Sequence, residues 1–93
     1  MAHAYREPCR VTADADGLPV SFVWRGHEYP VEAVLEIWHL RDRWWVPRVS
    51  ELLHGMQGPS DRWYFRVQCP GLAFYDLYHD IEIGIWFLDR VLD

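Results

Sequence analysis

Bulky apolar and polar positions alternate along this chain in short runs with the two-residue period of extended strands. Trp63-Tyr64-Phe65-Arg66-Val67, Phe74-Tyr75-Asp76-Leu77-Tyr78 and Ile85-Trp86-Phe87-Leu88-Asp89-Arg90-Val91 are the clearest. Each run places large side chains on both faces of an extended chain, as in a thin sheet folded back on itself. Val20 to Arg25 alternates with Val20, Phe22 and Trp24 on one face and Ser21, Val23 and Arg25 on the other. Turn signals separate these runs. Asp14-Ala15-Asp16-Gly17 offers side-chain acceptors and a residue that accepts positive φ. Arg25-Gly26-His27 is a tight reversal, Pro70-Gly71 a turn, and Asp80 to Gly84 a hairpin loop.

Residues 31–40 fit two periods. As a strand, Val31, Ala33, Leu35, Ile37 and His39 share a face; as a helix, Val31, Val34, Leu35 and Trp38 form a stripe behind Pro30. The β-rich context and the reversal just before it favour strand. Ser50, Leu52, Leu53 and Gly55 suggest one or two helical turns within 47–56. The expected fold is all-β: a six-stranded antiparallel barrel or roll of SH3-like size with a short helical insertion near 47–56. Residues 1–7 read as a disordered lead-in, and 8–93 as a single β domain.

Length changes this picture little: 93 residues make one domain. A chain this short buries only about 60–65% of its unfolded surface. Six Trp, five Tyr and four Phe fill a small core efficiently. The formal net charge of −5 opposes general nucleic-acid binding, which rests on clustered cations. All nine cations are arginine; codon usage in a GC-rich genome explains this, as would selection for planar, bidentate cations. Cys9 and Cys69 are too few for a disulfide scaffold and read as free thiols in a reducing cytosol. The first residues lack the apolar core of a signal peptide, and no stretch approaches a membrane span, so the expected location is cytoplasmic.

Candidate chemistry is sparse. His3, His27, His39, His54 and His79 are scattered, without the close pairs that zinc favours, so neither metal nor other cofactor is expected. Ser21, Ser50 and Ser60 lie in no nucleophile elbow, and Cys69 opens a turn. Asp76 and Asp89 stand on neighbouring strands with Arg66 and Arg90 as natural partners. No catalytic residue emerges, and the expectation is a protein that is not an enzyme. Arg41-Asp42-Arg43-Trp44-Trp45 is the best recognition candidate, because Trp and Arg dominate binding hot spots. Arg41, Arg43, Trp44, Trp45, Arg62 and Arg66 are the candidate binding residues. They would serve a protein partner or, by stacking, single-stranded nucleic acid. The alternative is that one Trp belongs to the core, the other plugs the barrel, and the arginines are merely solvated. Exposed strand edges also make a homodimer a structural alternative.

Phe22-Val23-Trp24-Arg25-Gly26-His27-Glu28-Tyr29-Pro30-Val31 resembles the F-x-W-R-G-x-x-Y-x-V opening of a bacterial family of small stand-alone proteins of unknown function. Trp44-Trp45, Arg62-Trp63-Tyr64-Phe65-Arg66-Val67, Tyr75-Asp76-Leu77-Tyr78-His79-Asp80 and Gly84-Ile85-Trp86-Phe87-Leu88-Asp89-Arg90-Val91 continue the likeness. The same order of words is similar to the C-terminal segment of the inactive Y-family polymerase homologue of bacterial mutagenesis cassettes. Residues 46–60 depart from it by being longer and more apolar than the usual acidic, Gly-bearing loop. The resemblance implies a non-enzymatic adaptor in DNA damage tolerance, an accessory of translesion synthesis that touches other proteins of a polymerase complex.

Overall fold

The computed structural model describes residues 2–41 and 61–92. They form seven strands: β1 Ala2–Ala13, β2 Pro19–Trp24, β3 His27–Pro30, β4 Ala33–Arg41, β5 Asp61–Cys69, β6 Ala73–Asp80 and β7 Ile85–Leu92. Every pairing is antiparallel, and the order across the single sheet is β3-β2-β1-β7-β6-β5-β4.

The sheet curls into a half-barrel. β2 and β6 stand three places apart in the order, yet Phe22 and Tyr75 meet edge to face at 5.3 Å. Tyr29 of β3 reaches Tyr75 at 5.4 Å. A flat sheet would hold these two pairs of rings about 14 and about 19 Å apart, given a strand spacing near 4.8 Å. The β3–β4 connection bridges the two ends of the curl. The Val31 N–H donates to the Val20 carbonyl at 2.9 Å, and the next N–H, of Glu32, donates to Gln68 at 2.7 Å. Val67, Leu77 and Leu88 are fully buried inside, with Phe22, Trp24, Phe65, Cys69 and Tyr75 around them.

The all-β expectation holds, but the strand count rises from six to seven. The bridge at Val31–Glu32 is the reason: it splits what reads as one run into β3 and β4 at opposite ends of the sheet. Among the described residues there is no helix, and the helical turns expected within 47–56 lie outside them. Residues 2–7, read from the sequence as a lead-in, belong to β1. Ala2, His3 and Ala4 pair with Leu92, Val91 and Arg90, because β7 supplies a partner edge that no local pattern announces.

The 31–40 stretch resolves as strand, with one change of face. A register shift between Val34 and Glu36 is centred on Leu35, so Val34 packs against the core although Ala33 was expected to share the face of Ile37. The Arg25-Gly26 reversal is a two-residue hairpin with positive φ at both positions, 53° and 78°, as the twist of paired strands favours. Glu7 holds the strained Arg25, accepting bonds from Nε at 2.9 Å and Nη2 at 2.7 Å. Asp14 organises the β1–β2 turn by accepting the N–H groups of Asp16 and Leu18 on Oδ1.

Candidate functional site: two faces of the curled sheet

Strand register fixes which side chains meet, because residues directly opposite on neighbouring strands share a face. On the outside of the curl, Trp38, Tyr64, Tyr78 and Phe87 form a row across β4, β5, β6 and β7. Successive ring centroids are 5.1, 5.1 and 4.9 Å apart. The next row alternates in charge: Glu36, Arg66, Asp76, Arg90. Arg66 grips Asp76 with Nε at 2.9 Å and Nη2 at 3.1 Å, and its Nη1 lies 3.9 Å from Glu36. Arg90 approaches Asp76 from the other side at 3.9 Å. A bulge between Asp76 and Leu77 in the β6–β7 register adds Asp89 to this face, where it pairs with Arg6 and Arg90 at 3.5 Å each.

Of the sequence candidates, Arg62 and Arg66 fall on this outer face. Arg62 and Arg66 both sit on β5. Neither is an uncommitted cation. Arg66 belongs to the charge row, and Arg62 lies over the Tyr78 ring at 4.8 Å, with Asp80 at 4.0 Å. The Arg62 Nε is buried without a hydrogen-bond partner, so this guanidinium is held by packing as much as by charge. Arg41 ends β4 opposite Asp61. Arg43, Trp44 and Trp45 lie outside the described residues.

The inside of the curl carries residues that sequence reasoning passed over. His39, Trp63, His79 and Trp86 face one another in register across β4 to β7. They stack as two separate pairs. His39 lies on Trp63 at 4.3 Å with ring planes 5° apart, and His79 lies on Trp86 at 4.5 Å and 2°. His39 also bonds Asp61. Between the pairs opens a cleft of about 330 Å³, lined by Asp16, Gly17, Leu18, Ile37, Trp63, Phe65 and His79. The β1–β2 turn forms one wall, and Gly17, at φ 84°, lets the chain bend there. The usable signal in the sequence is that Trp63 and His79 are opposed once β5 and β6 form a hairpin about Pro70-Gly71; the pairing of β7 and the curl of β1–β2 have no such local sign.

Neither thiol is activated. Burial pushes Cys9 up to about 12 and Cys69 up to about 11, and both are free. Among the described residues no three His, Cys, Asp or Glu side chains converge as metal ligands, and no helix is long and apolar enough to cross a membrane.

The sequence profile of a family described as "Domain of unknown function (DUF6504)" matches residues 1–93, the whole chain. The chain belongs to the DUF6504 family. No curated protein and no solved structure matches it. The curled sheet with its neutralised outer charge row and open inner cleft is therefore a description of one DUF6504 domain.

Proposed function

We propose that this DUF6504 domain is a non-catalytic protein-interaction module that takes an extended segment of its partner along β4. The observation that carries this reading is the β4 edge. β4 is the last strand in the sheet order, so one side of its backbone has no strand partner among the described residues. Its Leu35, Ile37 and Leu40 side chains are 47%, 48% and 47% exposed. The opposite edge, β3, is four residues long and ends in Pro30, a guarded edge by comparison. A long edge with uncovered apolar side chains supports recognition by strand addition, in which main-chain bonds hold the segment and side-chain pockets select it. Glu32 and Glu36 beside this edge favour a segment that mixes apolar with basic residues.

The partner complex is taken from the sequence likeness to the polymerase-related segment: an accessory of damage-tolerant DNA synthesis. Single-stranded nucleic acid is the weaker reading. Arg62 and Arg66 already have anionic or aromatic partners, and the formal charge is −5. Affinity capture from the native host, quantified for wild type against Leu35→Lys, tests the proposal. The expected result is a polymerase, clamp or recombinase-like protein recovered with wild type and lost with the variant. Equal recovery by both, or no such protein with either, refutes it.

A further inference from the structure

The inner cleft shares Ile37 with the β4 edge, but the rest of its lining belongs to β5, β6 and the β1–β2 turn. Trp63 and His79 sit directly opposite each other on β5 and β6, where side chains stand about 5 Å apart at their bases. Their rings nevertheless turn apart. Trp63 stacks away toward His39 on β4, and His79 stacks away toward Trp86 on β7. Trp63 and His79 both line the cleft, with Phe65 and Ile37 beside them. Trp63 remains 39% exposed, an unusual amount for an indole on the concave side of a small domain. The volume of about 330 Å³ lies within the range of small-molecule sites, and an apolar lining with few polar groups is their usual character.

We infer that this slot binds a flat heteroaromatic ring of purine size, inserted between Trp63 and His79 so that the stack runs His39, Trp63, ligand, His79, Trp86. The polar groups around it set the chemistry of the ligand. Asp16 is exposed at the rim, and its carboxylate makes no hydrogen bond or ion pair among the described residues. It accepts N–H donors from the ligand edge. Arg62 and Arg66, on β5 beside Trp63 and Phe65, are engaged on the opposite face. A phosphate group would meet an anion at the rim and a protein of formal charge −5. The occupant is accordingly an unphosphorylated base or nucleoside, not a nucleotide or a nucleic-acid strand.

Calorimetric titration of the full chain with adenosine, guanosine and cytidine tests this, with AMP and a single-stranded oligonucleotide run beside them. A purine nucleoside is expected to bind, and AMP and the oligonucleotide more weakly. Trp63→Ala is expected to weaken purine binding at least about tenfold, the scale of losing one stacking partner. Trp63→Phe restores most of it, and Asp16→Asn weakens adenosine without changing the melting temperature. Trp38→Phe, in the stacked row on the outer face, leaves binding unchanged. Circular dichroism confirms that each variant is folded, and the Phe and Asn variants carry the test where Trp63→Ala is not. No binding of any nucleoside at millimolar concentration overturns the inference. So does an unchanged affinity in folded Trp63→Ala, or tighter binding of AMP or oligonucleotide than of adenosine. These outcomes leave the β4 docking reading untouched, since Leu35→Lys, outside the cleft, tests that by partner recovery.

Discussion

Removing Arg66 should cost this small domain much of its stability, and the structure gives the size of the loss. Asp76 is 2% exposed and accepts two hydrogen bonds from Arg66, at 2.9 and 3.1 Å. Arg90 Nε is 3.9 Å away, too far to replace them. In Arg66→Met the carboxylate stays buried with only that distant cation. Breaking a buried pair costs about 3–5 kcal/mol, and Arg90 places this case near 3 kcal/mol. For a domain of this size the melting temperature then falls by about 12–24 °C. Asp76→Leu should cost less, about 1–2 kcal/mol, because the Arg66 side chain is 33% exposed and can turn to water. The double variant should be more stable than the sum of the singles implies, by about 1–3 kcal/mol. Urea unfolding followed by tryptophan fluorescence and circular dichroism gives all four corners of the cycle. Additivity within about 0.5 kcal/mol, or a loss below about 1 kcal/mol in Arg66→Met, would show that the fork across β5 and β6 is not an energetic unit.

Leu77→Ala should destabilise by about 2–5 kcal/mol in the same assay, since Leu77 is fully buried at the centre of the curl. Both cysteines should resist iodoacetamide at pH 8 in the native state and react once denatured, because burial holds Cys9 near 12 and Cys69 near 11; alkylation at the rate of a free thiol would contradict their packing. Hydrogen bonds from Arg25 and Trp24 lower Glu7 below the ordinary glutamate value of 4.5. A depressed carboxylate contributes stability that is present above the unfolded value and disappears as pH falls through the lower folded one. The Trp24 indole N–H resonance, which reports its 2.9 Å bond to Glu7, should therefore move only below pH 4.5, and should not show that transition in Glu7→Gln.

Local pattern revealed the strands and most turns, because alternation and turn residues act over a few positions. Phe22 and Trp24 point inward as their alternation implies, and the β5–β6–β7 meander obeys its turn residues. Long-range closure was not legible. Nothing local says that Ala2 to Ala4 will pair with Arg90 to Leu92, or that Glu32 will bond Gln68. The same limit applies to the sites. Arg62 and Arg66 look like recognition cations until register sets Asp80 and Asp76 opposite them. Trp63 and His79 look like scattered residues until β4 and β7 draw their rings apart. Bulges hide well too: Leu35 and Asp89 each shift the faces of their neighbours along the strand, and neither position carries a glycine to mark it.

An open β4 edge is what the proposed docking depends on, and residue-resolved amide exchange in the free protein tests it most directly. Across Ala33–Arg41, alternate N–H groups should exchange slowly where they bond β5 and quickly where they face outward, with the alternation slipping at Leu35. Uniformly slow exchange along the whole strand would mean that the edge is already occupied and has nothing to offer a partner.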